Sequence, residues 1–74
     1  MIKNDVVALT SYLRKRFNAP SLRVQPHPKK KDMAEVFIGD EFIAPLYREE
    51  EDGEVSYQMQ LVILDVDLEE GAAD

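Results

Sequence analysis

The sequence predicts an α+β domain in which one N-terminal amphipathic helix packs on a four-stranded antiparallel β-meander, in the order α-β-β-β-β. Over the first 17 positions, apolar residues recur at spacings of three and four, as in a helix with one buried face. Beyond residue 20, short alternating runs are separated by proline, glycine and aspartate, the pattern of strands joined by turns. The 74 residues suffice for one domain, which we assign to 1–68, followed by a flexible acidic tail at 69–74.

The predicted helix has capping candidates at both ends. Asn4 and Asp5 are suitable N-caps. Asn18 can adopt the left-handed conformation that terminates a helix, and Pro20 prevents its continuation, so the helix should end near Phe17. The predicted buried stripe, with Tyr12 beside it, contains Ile2, Val6, Leu9, Leu13 and Phe17.

The first two strands are predicted at residues 21–25 and 34–38, with a polar, proline-containing loop between them. Gly39 and Asp40 then suit a two-residue hairpin of type II′, which favours glycine at its first position. That turn would pair Ile38 with Glu41 and would place Phe37 opposite Phe42. A bulged or longer loop would shift the faces, and the sequence leaves this alternative open.

The third strand is predicted at 41–48, where Pro45 indicates a bulge or an edge position. Asp52 and Gly53 indicate the next turn. The last strand is predicted from Val55 to Val66, and from position 62 it is apolar on both faces. Because the single helix can cover only one face of the sheet, this second apolar face predicts a further partner.

Charge is divided unevenly along the chain, whose net charge is −6. Residues 1–31 carry eight of the nine basic side chains, whereas residues 32–74 carry Arg48 alone against fourteen acidic residues. Either the two halves neutralise each other within the fold, or the division marks an interaction surface.

The composition argues against several classes of function. The absence of cysteine excludes disulfides, thiolate metal sites and cysteine nucleophiles. His27 is the single histidine, and no glycine-rich phosphate loop is present. We therefore expect no enzyme, no catalytic residue, no metal site, no cofactor and no small-molecule substrate. The longest apolar run is four residues and the N-terminus lacks signal-peptide features, so we expect a cytoplasmic protein with no membrane partner.

The predicted function is that of a small non-enzymatic protein-interaction module that self-associates as a homodimer or binds another protein. The predicted contact residues are Phe37, Ile43, Val62 and Leu64. Alternatively, the tail or the 26–32 loop folds over this apolar patch in a monomer. A second alternative is nucleic-acid binding by the basic N-terminal half, through Arg14, Arg16, Lys29, Lys30 and Lys31.

Three stretches of the sequence carry a family resemblance: AEVFIGDEFI, the acidic turn EEDGEVSY and the closing ILDVDLEE. Together they resemble a family of short bacterial proteins, chiefly alphaproteobacterial, described as a domain of unknown function (domain of unknown function 3126). The resemblance extends over nearly the whole chain. It implies no known chemistry and therefore no catalytic residue.

Overall fold

The computed structural model describes the backbone of residues 1–73 and the side chains of residues 1–69. Within those limits the elements are a 3₁₀ helix (Ile2–Asp5), α1 (Val6–Phe17), β1 (Leu22–Pro26), β2 (Met33–Ile38), β3 (Glu41–Glu51), β4 (Glu54–Met59) and α2 (Asp65–Ala73). The strands form one antiparallel sheet in the order β1-β2-β3-β4, which confirms the predicted α+β meander. Helix α2 was not predicted. It crosses the proposed boundary at residue 68 and includes residues 69–73 of the expected tail, while Asp74 lies outside the described residues.

Helix α1 begins and ends where the sequence predicts. Asp5 occupies the N-cap position, although its side chain makes no capping hydrogen bond, and Asn18 adopts the left-handed conformation with φ 51°. The N–H of Ala19 donates to the carbonyl of Arg14 at 2.9 Å, and Ala19 packs against the core. This is a Schellman motif, in which the residue after the left-handed position makes the apolar contact.

Two aromatic residues of α1 lie outside the core, contrary to the predicted stripe. Tyr12 and Phe17 are both more than half exposed, whereas Leu13 is buried and Ile2 is fully buried in the preceding 3₁₀ helix. Phe17 is exposed because the helix ends there. The chain turns at the next residue, and Ala19 occupies the core position beyond the turn.

The β2–β3 hairpin has the predicted register, with Phe37 opposite Phe42. Gly39 has φ 61° and Asp40 has a negative φ, as a type II′ turn requires. The register then shifts by one residue, because the next residue of β2, Val36, lies opposite Ala44 and not opposite Ile43. Ile43 is therefore the extra residue of a β-bulge.

Pro45 lies in an interior strand of the sheet, two residues after the bulge residue. Its carbonyl accepts the N–H of Gln60 at 3.3 Å, so its missing N–H also faces the β4 side of the strand. The last pair in the ladder between β3 and β4 is Leu46 with Met59. The proline therefore lies just beyond the ladder that it could not have joined.

The fourth strand is much shorter than predicted, because β4 ends at Met59 and not at Val66. Residues 60–64 belong to no helix or strand. The N–H of Leu64 donates to Oδ2 of Asp67 at 2.9 Å, as in half of a capping box, and α2 begins there. The alternating sequence continues, but β3 offers no further partner beyond Leu46, so the pattern does not become a strand.

The core lies between α1 and the first three strands. Its buried side chains are Ile2, Leu13, Leu22, Val24, Ala34, Val36, Ala44 and Leu46. From β4, only the half-buried Met59 packs against this cluster. Helix α1 therefore covers the β1 side of the sheet and leaves β4 largely uncovered.

We expect Ile2→Ala to lower the free energy of unfolding by about 2–5 kcal/mol, because it leaves a cavity beneath the 3₁₀ helix. Val7→Ala is the matched control: Val7 is 84% exposed, and its truncation should change that free energy by less than about 0.5 kcal/mol. Urea denaturation followed by circular dichroism measures both variants. Equal effects would show that the 3₁₀ helix does not contribute to the core.

Candidate interaction surface

An exposed apolar segment follows β4. We term residues 61–68 the C-terminal arm. Each of its large apolar side chains is more than half exposed: Leu61, Val62, Ile63, Leu64, Val66 and Leu68. Folded monomers rarely expose a contiguous apolar stretch of this size unless it contacts a partner.

A second uncovered apolar surface lies between α1 and β4. This groove has a volume of about 460 Å³ and is lined mainly by apolar atoms. Its lining residues are Asp5, Ala8, Leu9, Tyr12, Leu13, Leu46, Tyr57 and Met59. We term it the α1–β4 groove. It exists because α1 packs over β1, so that the helix-facing side chains of β4 meet no second layer.

A polar network closes one end of the groove. The hydroxyl of Tyr57 donates to Oδ2 of Asp5 at 2.6 Å, and Nε of Arg48 lies 3.6 Å from the same oxygen. The guanidinium also lies 3.9 Å from Asp32 and 3.7 Å from Glu50. The Arg48 side chain is only 19% exposed, and its Nε has no hydrogen-bond partner among the described residues. The network connects the start of α1 with β3 and β4.

The Asp5 carboxylate changes the acidity of Tyr57. Because the Tyr57 hydroxyl can donate this hydrogen bond only while it is protonated, the bond raises the pKa of Tyr57 above its ordinary value of 10.0. Desolvation and the negative charge of Asp5 raise this pKa further, and Arg48 opposes the effect.

The structure places the four predicted contact residues on three different parts of the domain. Val62 and Leu64 lie on the arm, exposed but outside the sheet. Ile43 packs against the core, because the bulge turns it inward. Phe37 lies on the sheet face opposite to the buried Val36. The expected continuous patch across the sheet is therefore absent among the described residues, while the contact role of each residue stays a prediction.

Phe37 belongs to a small aromatic cluster on that opposite face. Its ring packs edge-on against Phe42 with the centroids 5.7 Å apart, and the Arg23 guanidinium lies 4.5 Å from the Phe37 centroid. Edge-on packing and a cation over the ring face both favour this arrangement. Phe37 is thus covered partly by its own chain.

The predicted basic residues lie near opposite ends of α1. At the C-terminal end, Nε of Arg14 donates to the carbonyl of Leu22 at 2.7 Å, and Arg16 lies in the same last turn. Near the N-terminal end, the carbonyl of Lys31 accepts the N–H of Ile2 at 3.1 Å. At a rise of about 1.5 Å per residue, the helix between these ends is about 18 Å long. Nucleic-acid binding stays a prediction, but its residues form two patches and not one.

His27 organises the loop between β1 and β2. Its Nδ1 accepts the backbone N–H groups of Lys29 at 3.0 Å and Lys30 at 3.1 Å. The backbone N–H of His27 donates to the carbonyl of Met33 at 2.9 Å. The single histidine thus has a local structural role in the predicted loop.

The sequence did not predict the Arg48 network or the α1–β4 groove. The sequence did contain a signal for the network, since Arg48 is the one basic residue of residues 32–74, which carry fourteen acidic residues. It contained no signal for the groove, because the groove depends on where α1 lies across the sheet.

Two structural findings bear on the other expectations. In the described part of the chain, no helix combines the length and the apolar character needed to cross a membrane. Among the same residues, no three His, Cys, Asp or Glu side chains are grouped so that they could hold a metal ion. The cytoplasmic location and the absence of cofactors and substrates stay predictions.

Comparison with known proteins gives a family and no activity. A family model described as Protein of unknown function (DUF3126) matches residues 5–67, which include α1 and all the strands. The match agrees with the resemblance seen in the sequence, and the alphaproteobacterial origin stays a prediction. No curated protein and no solved structure matches the chain significantly.

We expect the free energy of unfolding to fall as the pH rises above about 10, because Tyr57 stays protonated in the folded chain after its unfolded counterpart ionises. This contribution is fully present below the unfolded pKa and is lost as the pH rises through the raised pKa of Tyr57. Tyr57→Phe should make the fall less steep. Urea denaturation between about pH 8 and 11 measures the difference.

Tyr12→Phe is the matched control, because it removes an exposed tyrosine and keeps the bond between Tyr57 and Asp5. Its pH dependence should remain steeper than that of Tyr57→Phe. If the two variants have the same slope above about pH 10, the hydrogen bond between Tyr57 and Asp5 does not control this ionisation.

Proposed function

We propose a function for this chain, which belongs to the family described as Protein of unknown function (DUF3126): it is a small non-enzymatic protein-interaction module that self-associates through its C-terminal arm. The observation that carries the proposal is the exposure of the arm. Val62 and Leu64, two of the predicted contact residues, are 65% and 57% exposed.

The free energy available from covering the arm is large for a domain of this size. Full burial of one Val, Leu or Ile side chain contributes about 1.5–3 kcal/mol, whereas the whole stability of a domain is about 5–15 kcal/mol. Helix α2 has nine residues, and an isolated helix of this length is marginal in water. A partner that covers the arm would therefore stabilise both the apolar side chains and the helix.

The charge division supports a second copy of the chain as the partner. Within the described residues, every side-chain ion pair involves Arg48. The lysines and arginines of residues 1–31 therefore do not neutralise the acidic half by direct pairing. Two copies related by a twofold axis can place the acidic part of each next to the basic part of the other.

The groups in the groove support binding over catalysis. Asp5 and Tyr57 are bonded to each other and lie beside Arg48, and the remaining lining is mainly apolar. The single histidine, His27, does not line the groove, and its Nδ1 already accepts two backbone N–H groups. A general base needs a free acceptor near an orienting group and a substrate site, and this arrangement favours apolar contact instead.

We expect the wild-type chain to sediment as a dimer, at twice its monomer mass of 8.5 kDa. Val62→Asp should weaken the dimer at least about tenfold, because burial of an unpaired carboxylate in the interface is costly. Sedimentation velocity over a concentration series measures the dissociation constant. The variant should still unfold cooperatively when followed by circular dichroism, because Val62 is exposed within its own domain and outside the core.

Val7→Asp is the matched control: the same substitution at an exposed position on α1, outside the arm. It should leave the dissociation constant unchanged within about twofold, because an exposed charge is already solvated. A wild-type chain that stays monomeric at high concentration contradicts the proposed function. So does an equal weakening by both substitutions.

A further inference from the structure

We propose that the C-terminal arm of one copy lies in the α1–β4 groove of a second copy, and that the second arm returns the exchange. The inference rests on the proposed self-association and specifies its contact. Both surfaces are apolar and uncovered in a single chain. They also adjoin each other, since Met59 lines the groove and the arm begins two residues later.

The part of the arm that precedes α2, residues 61–64, is similar in length to the groove. Along α1 the groove runs from Asp5 to Leu13, which is about 12 Å at the helical rise of about 1.5 Å per residue. Residues 61–64 in an extended conformation span about 13 Å. The part of the arm before α2 can therefore lie along one groove, with Val66 and Leu68 following it in α2.

The arm cannot easily reach the groove of its own chain. The bond from Gln60 N–H to the carbonyl of Pro45 holds the start of the segment in line with β4. To return along β4 the chain would have to reverse within residues 60–64, which contain no Gly, Pro, Asn, Asp or Ser. Those are the residues that form tight turns. An arm that continues forward meets a second copy without any reversal.

Charge supports the same contact. Asp65 and Asp67 lie in the first turn of α2, directly after the apolar residues 61–64. Arg16, in the last turn of α1, lies four residues after Tyr12 and three after Leu13, so it is on the helix face that lines the groove. An arm whose α2 end lies toward the C-terminal end of α1 therefore places Asp65 and Asp67 near a positive charge, whereas the opposite direction would place them near Asp5.

A reciprocal exchange would also cover apolar side chains that a single chain leaves exposed. A reciprocal exchange covers two arms and two grooves, and each arm has six large apolar side chains that are more than half exposed. The contact would also give α2 the packing partner that a short helix needs.

Disulfide trapping tests the exchange directly, because the natural chain contains no cysteine. Full-length Ala8→Cys, on the groove wall, is mixed with full-length Val62→Cys, on the arm, in a glutathione redox buffer. The control is Ser11→Cys mixed with Val62→Cys. Ser11 is exposed on the same helix but does not line the groove. Replacing its hydroxyl with a thiol changes the size of the side chain only slightly.

Intact-mass spectrometry separates the mixed disulfides from the homodimers, because the variants differ in mass. We expect the disulfide between Ala8→Cys and Val62→Cys to exceed that of the control pair at least about tenfold, because only the groove position lies within the short Cα–Cα range of a disulfide. Equal yields overturn the exchange.

The same set of proteins distinguishes the two proposals. A wild-type dimer in sedimentation with no preferred disulfide overturns the docking in the groove and leaves self-association intact. A wild-type monomer overturns both. The double variant Ala8→Cys with Val62→Cys, oxidised at a concentration at which the wild-type chain is a dimer, tests the remaining arrangement. An internal disulfide as its main product shows that the arm covers its own groove, and this also overturns the exchange.

Discussion

The constraint on which the structure depends is the width of sheet that one helix can cover. A helix with its side chains is about 10–12 Å across, whereas four strands spaced about 4.8 Å apart extend over about 15–19 Å. The single helix α1 lies over β1 and closes a core with β1, β2 and β3. The fourth strand is left beside the helix and not beneath it. The uncovered apolar surface next to the core therefore lies on the helix-bearing face, whereas the sequence had suggested the opposite face.

A polar network takes the place of apolar packing on that uncovered side. Arg48 is the one basic residue of the acidic half, and three carboxylates lie around it. Exposed ion pairs contribute little, about 0–1 kcal/mol. Arg48 is mostly buried, however, so the loss of one acidic partner would leave a charge with less compensation for its desolvation. The bond between Tyr57 and Asp5 adds a neutral donor to the same carboxylate. The network thus connects the start of α1 with β3 and β4, which α1 does not cover.

The parts of the fold that the sequence predicted have local causes. Asn18 ends α1, and Gly39 sets the register of the hairpin, because each conformation is a property of the residue itself. The parts that were missed depend on contacts between distant residues. Phe17 matches the apolar stripe, yet Ala19 is the residue that reaches the core. Likewise, no local pattern reveals where α1 lies across the sheet, so the α1–β4 groove could not be predicted from the residues that line it.

The end of β4 connects the irregularity in β3 with both proposed contact surfaces. Ile43 bulges and Pro45 lacks a donor on the β4 side, so the ladder between β3 and β4 stops at Leu46. Because pairing stops there, the alternating sequence after Met59 has no partner strand and leaves the sheet as an exposed arm. The same stop leaves Met59 at the wall of the groove. Two residues in the third strand therefore determine where the arm begins, and they place that point at the edge of the apolar surface that a second copy would occupy.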